Sequence, residues 1–147
     1  MYKKSLLAIT IILFIVVIIT IKITFVNTTA KQAEEKSQDV LYQDVIITAL
    51  APVINKAVID YYKNIFTESP LYDQTSIKIL NIERPNGYRT WHFIINIEVD
   101  PFIGPHITVG KDRLSIDLSY PNYPEVLKFE HVEDYPLPEH YKHLYLH

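Results

Sequence analysis

Along the chain the spacing of apolar positions changes several times, and each change marks an element. Residues 6–21 are apolar apart from Thr10 and Thr20; Lys22 interrupts, and Ile23, Phe25 and Val26 carry the apolar character to residue 26. As a helix, residues 6–26 would reach about 31 Å, enough to cross a hydrocarbon core of about 30 Å. Lys22 lies near one end of that span, where its stem could snorkel to the headgroups. Residues 27–38 are polar and lack an apolar face, which reads as a stalk. From Asp39 the period becomes helical: Val40, Leu41, Val45, Ile46, Ala49, Leu50, Val53, Ile54, Ala57, Val58, Tyr61 and Tyr62 recur at intervals of three and four. Asp39 could cap this helix, and Pro52 predicts a kink or a break within it. Ile47 and Ile59 fall off the stripe.

After the turn at residues 67–70 the period drops to two. Residues 76–83 put Ile77 and Ile79 on one face, and Pro85-Asn86-Gly87 forms a turn. Residues 88–99 are the clearest strand, with Trp91, Phe93, Ile95, Ile97 and Val99 on the core parity. A breaker-rich loop follows at residues 100–106. Leu114, Ile116, Leu118 and Tyr120 alternate with Ser115, Asp117 and Ser119, and residues 125–132 give a last strand. Short turns between successive strands imply an antiparallel meander. The fold class is therefore α+β: an N-terminal transmembrane helix, then a kinked or broken amphipathic helix packed on a four-stranded antiparallel meander sheet. The organisation is a membrane anchor or signal segment at 1–26, a polar stalk at 27–38, an extracytoplasmic domain at 39–133 and a Pro/Tyr/His-rich tail at 134–147, either strapped across the domain or loose.

Charge refines the placement. Lys3 and Lys4 before the apolar run favour a cytoplasmic N-terminus with everything after residue 26 outside. Cleavage after Ala30 is the alternative, giving a secreted domain, but the length of the run favours a retained anchor. Lys3, Lys4 and Lys22 all fall in the first 30 residues, so eleven bases face all seventeen acids beyond them, a net charge of −6. That balance argues against nucleic acid as a partner, since phosphate backbones are bound by Lys and Arg. Three glycines exclude glycine-rich phosphate loops, and the absence of cysteine excludes disulfides, thiolate zinc sites and a cysteine nucleophile.

Leu50-Ala51-Pro52 inside a helix ending Asp60-Tyr61-Tyr62, then Lys78-Ile79-Leu80-Asn81-Ile82, then Gly104-Pro105-His106, then Lys128-Phe129-Glu130-His131 stand in that order. The ordered set resembles domain of unknown function 3888, a family of short exported proteins of Gram-positive spore-forming bacteria, over residues 41–132. In that family a Gly-x-His turn is followed by Asn-Pro-Pro-Tyr-Gly; here Ile107-Thr108-Val109-Gly110 stands instead. The resemblance implies export and a single domain, and it implies no activity.

Three sets of residues could carry chemistry. His140, His143 and His147, with Glu139, have helical spacing for a metal, but histidines in a solvated tail bind metals weakly, so no metal or other cofactor is expected. His106 sits between Gly104 and Gly110, where backbone can approach a ligand closely. His131 follows Glu130, and a neighbouring carboxylate can orient an imidazole for proton transfer. Gly104, His106, Gly110, Glu130 and His131 are thus the candidate ligand or partner site. The alternate face of the sheet, with Thr90, His92, Asn96, Glu98, Ser115 and Asp117, is a third surface, while Trp91 and Phe93 read as core. The pattern favours a membrane-tethered module binding an envelope protein or a small ligand without catalysis. Its rival is an envelope hydrolase or metal-dependent enzyme using His106 and His131 with Glu130.

Overall fold

The structure, a computed structural model of the chain, describes Val17 and residues 37–146. Apart from Val17, the apolar run at 6–26 lies outside the described residues, as do most of the polar segment and His147. The chain divides into two compact units, Met1–Tyr42 and Gln43–His147; the sheet, the tail and the helix from Gln43 onward belong to the second.

Helix α1 (Gln38–Tyr62) starts where Ser37 places its Oγ 3.3 Å from the Val40 N–H. That serine, rather than Asp39, is the cap, because its side chain reaches the free amide in the first turn. The helix runs unbroken through Pro52. Pro52 and Thr48 are both exposed, so the carbonyl that Pro52 leaves without a donor can turn to water. The buried stripe is Ile47, Leu50, Ile54, Val58 and Tyr62, at intervals of three and four. It is narrower than the sequence pattern: Ile47 belongs to it, whereas Leu41 and Val45 are exposed. By length and composition alone α1 could also cross a membrane, but its stripe forms part of the domain's hydrophobic core.

A four-stranded antiparallel sheet in the order β1-β2-β5-β6 forms the other layer. Its strands are β1 (Lys78–Glu83), β2 (His92–Val99), β5 (Gly110–Ser119) and β6 (Glu125–Asp134); between β2 and β5 a small hairpin pairs β3 (Phe102–Ile103) with β4 (Ile107–Thr108). This is the α+β meander that the sequence predicts, with the hairpin added inside the breaker-rich loop. Ile95, Ile97 and Val99 of β2 pair with Ile116, Leu114 and Asp112 of β5, so these residues share one face. They are all buried, and the apolar ones join the α1 stripe in one core. The opposite face is a polar lattice. Glu98 accepts from Lys78 Nζ at 3.1 Å and from Arg113 Nη2 at 3.0 Å, and Ser115 Oγ donates to Asn96 Oδ1 at 2.6 Å. His92 Nε2 meets Asp117 Oδ2 at 2.8 Å. The Lys78 and Arg113 bonds hold the Glu98 carboxyl below its ordinary range against the opposing effect of burial. This face is satisfied within itself.

The tail docks on the unit. Leu137 and Leu144 are buried, the Leu144 carbonyl accepts from the Thr67 N–H at 2.8 Å, and the Leu146 N–H donates to the Ile65 carbonyl at 2.9 Å. His140 and His143 lie on the 3₁₀ turn Glu139–Leu144, where the His143 ring bonds the His140 carbonyl at 3.0 Å. Among the described residues no group of three His, Asp or Glu side chains is placed to hold a metal ion.

Candidate functional site

The two ends of the sheet carry different chemistry. At one end β2 finishes, β5 begins and β6 finishes. Here Asp112 stands on the core face opposite Val99 and His131 and is fully buried. His131 Nδ1 lies 2.7 Å from Asp112 Oδ1, and His131 Nε2 lies 2.8 Å from Asp134 Oδ1. Tyr62, at the last position of α1, brings its hydroxyl to 3.4 Å from Asp112 Oδ1. Tyr61 stacks on both Phe129 and His131, with ring centroids 4.8 and 5.1 Å away. Gly110 lets the strand pass beneath: a Cβ there would stand 2.5 Å from the Tyr62 hydroxyl and 2.7 Å from His131 Cε1.

Burial pushes the Asp112 carboxyl up, against the hydrogen bonds that favour its charge. Its Oδ2 is buried and takes no hydrogen bond from the protein. Burial also opposes charge on His131, but its bonds to Asp112 and Asp134, and their charges, outweigh this and raise the imidazole above its ordinary value. Burial first, then the Asp112 charge, drives the Tyr62 phenol far up, so it stays neutral. The result is an imidazole whose charged form two carboxylates favour and which two tyrosines roof.

At the other end β1 turns into β2 and β5 turns into β6. Gly87 (φ 88°) and Arg89 (φ 59°) set the first turn, where left-handed backbone suits the glycine. The Gly87 carbonyl accepts from Thr90 Oγ1 at 2.9 Å. The Tyr120 N–H donates to the Trp91 carbonyl at 3.1 Å and ties the two turns together. Arg84 packs over Phe93, 5.0 Å from the ring centroid. Four aromatic side chains here face water: Tyr88 at 87%, Trp91 at 73%, Tyr120 at 85% and Tyr123 at 94% exposure. Arg84, Tyr88, Arg89, Thr90 and Trp91 line a hollow of about 310 Å³. Trp91 is therefore no core residue. The alternation that placed it there begins one residue later, because β2 starts at His92 and residues 88–91 belong to the turn.

The candidate residues from the sequence separate. Gly110 and His131 come together, but the groups that approach the glycine are the protein's own. Glu130 is exposed and pairs with Lys128 at 2.5 Å; the carboxylates on His131 are Asp112 and Asp134. Gly104 (φ 53°) and His106 (φ 61°) form the β3–β4 turn, and His106 stacks on Phe102 at 4.3 Å. Sequence reasoning missed Asp112, whose signal was a lone acid in step with Leu114, Ile116 and Leu118. It also missed the aromatic turns, for which the signal was Tyr and Trp beside Asn-Gly and Pro-Asn-Tyr-Pro.

No curated protein and no solved structure matches the chain. Residues 42–133 match the family model described as protein of unknown function (DUF3888). That match covers more than half of the chain and takes in both ends of the sheet: the chain belongs to the DUF3888 family.

Proposed function

We propose that this protein is a membrane-tethered extracytoplasmic binding module that carries out no reaction. In this reading residues 6–26 are a single-pass anchor, the N-terminus is cytoplasmic and the domain stands outside. Lys3 and Lys4 before the apolar run support that orientation. The observation that carries the binding role is the pair of turns at 84–91 and 120–124. They are fixed by backbone bonds, yet four aromatic rings on them remain in water. Exposed aromatics grouped on a rigid support mark an interaction surface, since isolated apolar exposure needs no such grouping. The opposite end offers less to a ligand, because both ring nitrogens of His131 are already engaged.

Photo-crosslinking in intact cells tests this reading. A crosslinking residue in place of Tyr88 or Tyr123 should yield a defined adduct, and one in place of Glu139 should not. No adduct from either turn position, across growth states, would remove the proposal. The tether is tested by the mature N-terminus: Met1 or Tyr2 in the membrane fraction supports it, and Lys31 in the medium overturns it. The Asp112–His131 pair is what favours the rival reading, an envelope hydrolase. A substrate-turnover defect in His131→Gln with folding intact would be its mark.

A further inference from the structure

We infer that the aromatic turns dock onto the anionic lipid surface of the membrane that holds the protein, an inference that rests on the tethered reading above.

Three observations converge on it. The first is composition. Residues 84–91 and 120–124 contain Arg84, Arg89 and the four exposed aromatics, and the nearest acids along the chain, Glu83 and Glu125, stand just outside the turns on their strands. The chain beyond residue 30 is acidic overall, so an anionic surface would repel the body of the domain and attract this end, which fixes its orientation. Tyr and Trp side chains with nearby Arg are the groups that settle at headgroup level, with rings at the acyl boundary and charge in the phosphate layer.

The second is the direction of the helix. Tyr61 stacks over Phe129 and His131, while Val53, Lys56 and Ala57 border a hollow shared with Pro124, Glu125 and Val126. Towards its N-terminus α1 therefore advances along β6 to the end of the sheet that carries the aromatic turns. The chain enters the domain at that end.

The third is reach. Eleven residues separate the apolar run ending at residue 26 from α1 at Gln38. At no more than about 3.6 Å each they span at most about 40 Å to Gln38, and the helix from Gln38 to Val53, which lies beside the turn at 124, adds about 22 Å, so the turns are held within roughly 60 Å of the bilayer. A tether of that length makes docking intramolecular, at an effective concentration on the order of millimolar, and even a weak lipid surface is then occupied.

Trp91 is the sole tryptophan of the chain and lies in the surface itself, so it reports directly. The full chain would be reconstituted into vesicles of equal parts phosphatidylglycerol and phosphatidylcholine, and into phosphatidylcholine alone. Lipids carrying a quencher just below the headgroup, and acrylamide in the water, would compete for its emission. Docking predicts a blue shift and at least twofold lipid quenching in the anionic vesicles. It also predicts that Arg84→Gln with Arg89→Gln lowers the ratio of docked to free domain roughly thirtyfold. Trp91 emission that is quenched by acrylamide alone in both lipids overturns the inference. Alkaline extraction of the same vesicles reads the tether separately. A chain that resists extraction with an unquenched Trp91 leaves the tethered module standing and removes the docking. A chain that extracts removes the tether, and its Trp91 quenching before extraction still decides whether the turns meet lipid.

Discussion

At the end of the sheet where α1 closes, a carboxylate, an imidazole and a phenol turn inward and bond one another. At the opposite end, four aromatic rings and two guanidinium groups turn outward. Either set could be mistaken for a functional site in a list of residues. The difference lies in where their partners are. Asp112 has a large desolvation cost, and what offsets it is His131, itself held by Asp134. Both ring nitrogens of His131 and Asp112 Oδ1 are engaged on folding, and Asp112 Oδ2 alone is left without a protein donor. The rings of Tyr88, Trp91, Tyr120 and Tyr123 leave their apolar area in water, so folding gains almost nothing from them. Groups that contribute little to the fold and still sit on fixed backbone are free to contribute to binding.

The comparison breaks most sharply at His131. His131→Ala should cost about 3 kcal/mol or more, because it leaves the fully buried Asp112 carboxylate without its cation. Adding Asp112→Asn to that variant should recover a good part of the loss, since an amide is cheaper to bury than a charge. Urea unfolding followed by circular dichroism measures both. If His131→Ala unfolds with the wild type, the closed end is not a stabilising unit and the contrast with the aromatic end fails.

Gly110 sharpens the same point by packing alone. Gly110→Ala should destabilise by about 1–3 kcal/mol, because the new methyl meets the Tyr62 hydroxyl, His131 Cε1 and the Glu133 carbonyl, the last at 3.0 Å and part of the backbone. Gly104→Ala also loses stability, from its φ of 53°, but its Cβ enters open space. Relief of the Gly110→Ala defect by Tyr62→Phe, which removes the nearest atom, would identify the clash as the cause.

How much of this was legible follows from the same residues. The helix, the four strands and their order came through in the sequence because their apolar residues keep period along most of their length. β5 read as starting at Leu114 rather than Gly110, because Asp112 occupies a core position and looks like a surface acid. β2 read as starting at residue 88, because Trp91 continues the apolar alternation although the chain is still turning there. His131 was visible as a candidate, but its carboxylate was sought in the adjacent Glu130. Neighbours along a strand point to opposite faces, so the true partner came from across the sheet. A period of two tells which residues share a face and cannot tell which distant strand supplies the contact.

The closed end also titrates in a definite direction. The imidazole of His131 is raised from its ordinary 6.5, so its contribution is complete below about pH 6.5 and is lost as pH rises through the higher folded value. Asp112 is raised too, so the folded state again holds protons more tightly than the unfolded one. The Asp112 effect sets in above its ordinary 3.8 and the His131 effect above its ordinary 6.5, and each makes stability fall as pH rises through the folded value. Asp60, Asp73, Glu98, Asp117 and Glu130 are lowered by their partners; their contributions are present above the ordinary carboxylate range and fade as acid is added. Urea midpoints across pH should show the alkaline decline in wild type and lose it in His131→Gln. A decline that persists in that variant would place its origin elsewhere.

The smallest effect on stability belongs to the aromatic end, and it is the most informative. Tyr88→Ser with Tyr123→Ser removes two rings that are 87% and 94% exposed, so the unfolding free energy should stay within about 0.5 kcal/mol of wild type. Backbone bonds, which the substitutions leave alone, hold the turns. The same double variant should weaken lipid quenching of Trp91, because the rings are what would enter the interface. A loss of binding without a loss of stability is the signature that separates this end from the other, where every substitution that matters acts through the fold. If instead the double variant unfolds early, the rings pack against something in the native state, and the exposure on which the contrast rests does not describe the protein in solution.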